Sequence, residues 1–294
     1  MALTSARKYD VAVEMFKRCL EIADAMHDNT VQYEIFKNLG NLYYLLGDYP
    51  LAIDTLQKQL SLSQVGGDKA GEATSYGNLG AVLASLNRHE DAVCMFEQHL
   101  IIAHELGDIM GQSQTYTNLA TSLEMLGRHA EALDKLQRAR LFAQHLGDCE
   151  GQAEISARIG RGLIAGGQLD KAVMFLAESQ SLYGSAGMID EQGQTLQTIG
   201  LVSLGLGLYT PAMDSLTQAK DIAERLNKTA ALGKICTNLG IVKLRLGLIA
   251  EALDLHKISL KIAVELKDLP FQAIASGNIG HTPSFPKFPN PPFK

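Results

Sequence analysis

Cysteine is scarce in this chain and widely scattered. The four cysteines, Cys19, Cys94, Cys149 and Cys236, form no CxxC pair, zinc spacing or disulfide framework. Single cysteines in helical segments read as small buried hydrophobes, and such usage fits a reducing cytosol. Met1 to Asp10 lacks the apolar stretch of a signal peptide. No run reaches the roughly eighteen apolar residues that a membrane helix needs, so the expectation is a cytoplasmic protein without membrane insertion. A duplex-binding face is missing as well. The net charge is −6 with a pI near 5.8, and no Lys/Arg cluster offers phosphates a place to release counterions, which excludes nucleic acid as a partner.

Proline is also rare before the C-terminus. Five of the eight prolines lie between Pro283 and Pro292. Residues 281–294 therefore read as a disordered, polyproline-like tail that cannot hold a helix. The other three, Pro50, Pro211 and Pro270, fall at expected helix starts, where a missing N–H costs least. Catalytic and metal motifs are absent too. The eight histidines form no HExxH or other ligand spacing. Gly160-Arg161-Gly162 is followed by no GK[ST], and there is no GxSxG. No catalytic residue, metal site or cofactor is expected.

What the sequence does contain is periodicity. A hydrophobic content of 46% against 20% charge describes a folded chain rather than a disordered one. Asn38-Leu39-Gly40 returns every forty residues as Asn78-Leu79-Gly80, Asn118-Leu119-Ala120, Arg158-Ile159-Gly160, Thr198-Ile199-Gly200, Asn238-Leu239-Gly240 and Asn278-Ile279-Gly280. One alanine repeats alongside it, from Ala12 through Ala52, Ala92, Ala132, Ala172 and Ala212 to Ala252. Each unit reads as two helices. In the first, Tyr76, Leu79, Leu83 and Leu86 recur at spacings of three and four; in the second, Ala132, Leu133, Leu136, Ala139 and Phe142 do the same. Breaks are expected near residues 47, 87, 127, 167, 207 and 247, where Gly or Asn suits a left-handed helix end. The small residues at the glycine and alanine positions let paired helices approach closely. No single pair can bury its apolar face alone, so the units stack. The expected fold is an all-α, right-handed superhelical solenoid of antiparallel helix pairs. It covers residues 8–280: a partial unit at 8–28 starting in a helix near Lys8, six complete units over about 29–268, and a partial unit at 269–280. Beginning and ending inside a unit without a polar cap fits a fragment or splice form of a longer array.

Phe36-x2-Leu39-Gly40-x2-Tyr43 followed by Ala52-x3-Leu56 resembles the tetratricopeptide repeat pattern of aromatic-x2-Leu-Gly-x2-Tyr and Ala-x3-Phe. The forty-residue unit with Leu-Gly-Asp ends, such as Leu106-Gly107-Asp108, is similar to the family's long-unit subgroup. That subgroup includes scaffolds of the Partner of Inscuteable/LGN type and of the tetratricopeptide repeat protein 28 type. The resemblance implies a protein-binding groove lined by first helices. By the family pattern, its positions here are Lys37, Asn38, Asn41 and Tyr44 in the first complete unit, then Asn78, Asn118 with Gln114, and Arg158 with Arg161. Leu201, Leu204 and Gln194 follow, then Asn238, Ile241, Leu244 and Arg245. The asparagines offer a donor and an acceptor to an extended backbone, or else tie down a neighbouring helix. Arg158 and Arg161, one turn apart, suit a carboxylate or else an intramolecular ion pair. Lys37, Asn41 and Asn78 resemble part of the Lys/Asn clamp with which some members hold a C-terminal carboxylate. The groove runs from polar and charged in the early units to aliphatic in the later ones.

These observations imply a non-enzymatic scaffold or adaptor that binds extended or helical linear segments of other proteins. The resemblance points to spindle orientation, cell division or cytoskeletal organisation. The alternatives are a structural spacer that self-associates through uncapped ends, and a peptide-sensing regulatory domain of a larger protein.

Overall fold

A turn of the backbone into the left-handed region punctuates the chain every twenty residues. All thirteen positive-φ residues among those described fall on that period: His27, Gly47, Gly67, Asn87, Gly107, Gly127, Gly147, Gly167, Gly187, Gly207, Asn227, Gly247 and Lys267. At Gly47 (φ 77°) a Cβ would meet nothing within 4 Å, so glycine serves there for its conformation and not for space. The following residue frequently caps the next helix. Asp28, Asp48, Asp68, Asp108 and Asp268 each accept a hydrogen bond from a first-turn N–H.

This computed structural model describes residues 2–282 in backbone and 9–282 in side chains. Among them are fourteen helices and no strand, in two compact units, Met1–Asp148 and Cys149–Lys294. The first unit holds α1 (Ala2–Met26), α2 (Asn29–Leu46), α3 (Tyr49–Gly66), α4 (Lys69–Ser85), α5 (His89–Leu106), α6 (Ile109–Met125) and α7 (His129–Leu146). The second holds α8 (Cys149–Ala165), α9 (Leu169–Ser185), α10 (Ile189–Gly205), α11 (Tyr209–Arg225), α12 (Thr229–Arg245), α13 (Ile249–Glu265) and α14 (Leu269–His281). Within each unit every helix packs on the next, the all-α stack of helix pairs that the periodicity implies. All six expected breaks lie between helices. Two boundaries differ. The first helix starts at Ala2 rather than near Lys8, since nothing from Ala2 to Arg7 breaks a helix. The last helix continues through His281, and Thr282 caps it by donating its hydroxyl to the Asn278 carbonyl. The rest of the proline-rich tail, 283–294, lies outside the described residues.

The helix pairs are joined at a small-on-large contact. A Cβ on Gly40 would stand 2.7 Å from Leu56, on Gly80 2.6 Å from Phe96, on Gly160 2.7 Å from Leu176 and on Gly200 2.5 Å from Leu216. In every case the partner is the side chain sixteen residues on. The alanine series is buried behind it, with Ala52, Ala92, Ala172, Ala212 and Ala252 at 0% exposure. A large aliphatic side chain buried this fully contributes about 1.5–3 kcal/mol.

Two polar details depart from expectation. Of the cysteines only Cys236 is buried; Cys19, Cys94 and Cys149 are exposed. Cys94 shares its register with Asp54, Asp134, Asp214 and Asp254, a solvent-facing position. Burial pushes the Cys236 thiol up to about 11. Then His256 occupies the register of Leu56, Phe96, Leu136, Leu176 and Leu216, at 1% exposure, its ring against Gly240 and its Nδ1 without a hydrogen-bond partner.

Replacing Ala132, which is 1% exposed, with Phe is expected to destabilise the first unit by about 1–3 kcal/mol or more through overpacking. A thermal melt unchanged from wild type would contradict this packing. His256→Leu restores the side chain used elsewhere in the series and removes an unpaired buried polar group that costs about 1–3 kcal/mol. Burial lowers the His256 pKa. Its neutral form therefore supports the fold above the ordinary histidine range near 6.5, and that support is lost as pH falls through the depressed value. Melts at neutral and mildly acidic pH should show His256→Leu more stable at both, with the larger gain in acid. Equal gains at the two pH values would remove His256 from the acid response.

Candidate functional site

Within each unit, consecutive first helices barely touch, so a cleft opens between them, floored by the second helix they share. In the first unit α4 and α6 border such a cleft over α5. It is a cavity of about 260 Å³ whose polar lining comes from Thr74, Asn78, His99, Gln114, Thr115 and Asn118. In the second unit α8 and α10 border another, about 190 Å³, with Arg161, Tyr183, Glu191, Gln194, Thr195 and Thr198. A larger cavity of about 430 Å³ lies on α2 and α3 around Phe36, Asp54, Lys58 and Val65. It is wide open, and its charged groups, Lys58 and Asp54, are already paired at 2.7 Å.

The asparagines of the repeat triplet do not behave alike. Asn38 donates to the Glu34 carbonyl of its own helix, 2.8 Å away. Asn78 and Asn118 face the first-unit cavity, half-buried, and neither bonds to another helix's backbone. Asn238, half-buried on α12, likewise makes no such bond. The helix-tying alternative is thus met at Asn38 only in modified form, within one helix. Lys37 pairs with Glu34 and lies 5.8 Å from the Tyr33 ring centre, while Asn41 is exposed. Tyr44 is within 3.2 Å of the Ser85 hydroxyl and 5.9 Å from Tyr49, ring to ring. Lys37 and Tyr44 are therefore anchored by groups of the chain itself.

In the second unit Arg161 is exposed at the rim of its cavity, while Arg158 is half-buried and already engaged within the chain. Tyr183 sits beneath, with its pKa raised by burial and by Glu154 and Glu191, and Arg161 opposing them. A carboxylate arriving at Arg161 would thus compete with nearby glutamates. Of the aliphatic positions, Leu201 is 41% exposed, while Leu204, Ile241 and Leu244 are half-buried. Leu204 packs on the core of Leu216, Leu239 and Val242. The α10–α12 cleft, lined by Gln194, Gln197, Ala219 and Ile235 among others and by none of those four aliphatic positions, is almost filled, at about 20 Å³. Arg245 is exposed.

One set of buried polar residues went unassigned in the sequence. Gln59, His99, Ser179 and Ser259 share a register with Ala139 and Ala219, and all four are buried. His99 Nδ1 lies 2.8 Å from the Thr115 hydroxyl, and Ser259 Oγ 2.6 Å from that of Thr237. Gln59 has no partner at either amide atom. The signal is a forty-residue register held by polar residues at four positions and by alanine at two. Among the described residues no group of three or more His, Cys, Asp or Glu side chains could hold a metal, and no helix is long and apolar enough to cross a membrane.

The tetratricopeptide repeat family model matches residues 29–103 and 111–185, together just over half of the chain. No curated protein matches the sequence significantly. Among solved structures, BtubC (BKLC) from P. vanneervenii is 20% identical, with a TM-score of 0.62, over 74% of this chain and 92% of that one. The C-terminal part of a TPR repeat-containing protein from Cytophaga hutchinsonii is 12% identical, with a TM-score of 0.67, over 92% and 95%. A Rap protein complexed with competence and sporulation factor is 15% identical, with a TM-score of 0.50, over 86% and 75%. At these identities the likeness concerns the fold.

Proposed function

The chain belongs to the tetratricopeptide repeat family, and on that footing we propose that it is a non-enzymatic scaffold whose first-helix faces hold a linear segment of another protein. The observation that carries this reading is the pair Asn78 and Asn118. Their amides stand on neighbouring first helices over an open polar cavity and are not consumed by tying those helices together. Each can give and accept a hydrogen bond, which matches the alternating N–H and C=O groups of an extended backbone. The Rap protein crystallised with competence and sporulation factor is a fold neighbour of the same kind.

In the second unit Arg161 would meet an acidic side chain of the segment, with Arg158 behind it, and Leu201 would receive an apolar one. The forty-residue unit supports a place among the long-unit scaffolds of spindle orientation, cell division and cytoskeletal organisation. The scattered cysteines, with no disulfide framework, support a cytoplasmic setting.

Peptides selected from a displayed random library by the full chain supply the test. Asn78→Ala with Asn118→Ala, and separately Arg161→Glu, should preserve helicity, because exposed and half-buried polar changes of this kind seldom exceed about 0.5 kcal/mol. Each should weaken the isotherm by about tenfold or more, on the order of 1.4 kcal/mol. Affinities unchanged in both variants would remove the first-helix faces as the binding surface.

A further inference from the structure

The α4–α6 cavity has a floor unlike that of the other clefts. His99 is 8% exposed and lies in its lining, with Gly77 allowing the ring to come up against α4: a Cβ there would stand 3.3 Å from the ring. Ser75 and Thr195 share the register of Thr115, and each gives its hydroxyl hydrogen to the carbonyl four residues back. Thr115 instead bonds to His99 Nδ1 at 2.8 Å. With the Thr115 hydroxyl donating, Nδ1 is the acceptor and the ring proton sits on Nε2, the arrangement proposed below.

Burial lowers the pKa of His99, with the Asp108 carboxylate offsetting part of the shift, so the ring is neutral around pH 7. No charged side chain lines the cavity. A carboxylate entering it would lose water without meeting a cation, which is costly. An amide would meet one N–H donor on the floor and the side chains of Asn78, Gln114 and Asn118 on the walls.

We propose that this cavity is an amide-reading subsite: it takes an asparagine or glutamine side chain of the bound segment, whose carbonyl oxygen accepts from His99 Nε2–H. The wall amides then accept from the ligand's NH₂. This rests on the first-helix face being the binding surface, and it adds the residue chemistry read there. Thr115 is a positioning residue, since it fixes which ring nitrogen donates.

Two experiments test the subsite. The first needs no ligand: nitrogen-15 NMR of the histidine rings in the full chain should show His99 as the Nε2–H tautomer, and Thr115→Val should weaken that preference. Finding Nδ1–H in the wild type would overturn the subsite while leaving the groove reading intact. The second uses the peptides selected from the random library. Those that bind the first unit should contain Asn or Gln, and changing that residue to Asp or Glu should cost about tenfold at neutral pH. His99→Ala, which installs the residue found at Ala139 and Ala219, should keep the fold and bring amide and acid versions to nearly equal affinity. Selected peptides without an amide requirement, or discrimination that persists in His99→Ala, would overturn the subsite alone. Failure to enrich any peptide, or peptides indifferent both to Asn78→Ala with Asn118→Ala and to Arg161→Glu, would overturn the groove reading and the subsite with it.

Discussion

Everything in this protein depends on two helices coming close enough for one backbone to rest on the other's side chain. At Gly40, Gly80, Gly160 and Gly200 the missing side chain lets a Leu or Phe sixteen residues later lie directly against the first helix, and at Gly240 it admits His256. A methyl group added at Gly200 or Gly80 would overlap Leu216 or Phe96. Once the paired helices are that close, the alanine behind them has no exposed surface left, and the apolar stripe continues onto the next pair. The stack is then a repetition of one contact rather than a core assembled around a centre, as expected for repeats that touch only their neighbours.

The same closeness explains where polar groups could be placed. At the register of His99, where Gln59 is buried without a partner, the second helix presents a small or hydrogen-bonded residue in several units. Alanine does this at Ala219, in the lining of the α10–α12 cleft. Serine does it at Ser259 by bonding to Thr237, and histidine at His99 by bonding to Thr115. The residue chosen at this one register alters the floor of the cleft while the walls stay on a common pattern. A repeat scaffold can in this way vary what each cleft presents without altering the contact that builds it.

Much of this architecture was legible beforehand. The triplet beginning at Asn38, the alanine series and the Gly or Asn breaks are local signals at a constant spacing, and a helix–turn–helix repeat reads directly from them. The cysteines are less legible, because residue type suggests burial while register decides it; Cys94 stands in line with aspartates. The candidate binding face was legible as a set of positions but not as chemistry. Lys37 and Tyr44 prove to be held by Glu34 and by Ser85 and Tyr49, and Leu204 by the core. Side-chain direction and competing partners settle such roles, and spacing does not report them.

The sequence by itself determined the repeat length, the helix ends and the identity of the small residues at each crossing. These follow from backbone conformation and from steric size, both of which are properties of single residues and their near neighbours. Tertiary structure alone decided which amides remain available, which arginine faces outward and which hydroxyl stands against His99 Nδ1. Those outcomes turn on hydrogen-bond partners brought together across the stack: Thr115 reaches His99 from the next helix, and Arg158 is engaged where Arg161 is exposed. A polar group has only so many bonds to give, and only packing reveals which of them have already been given.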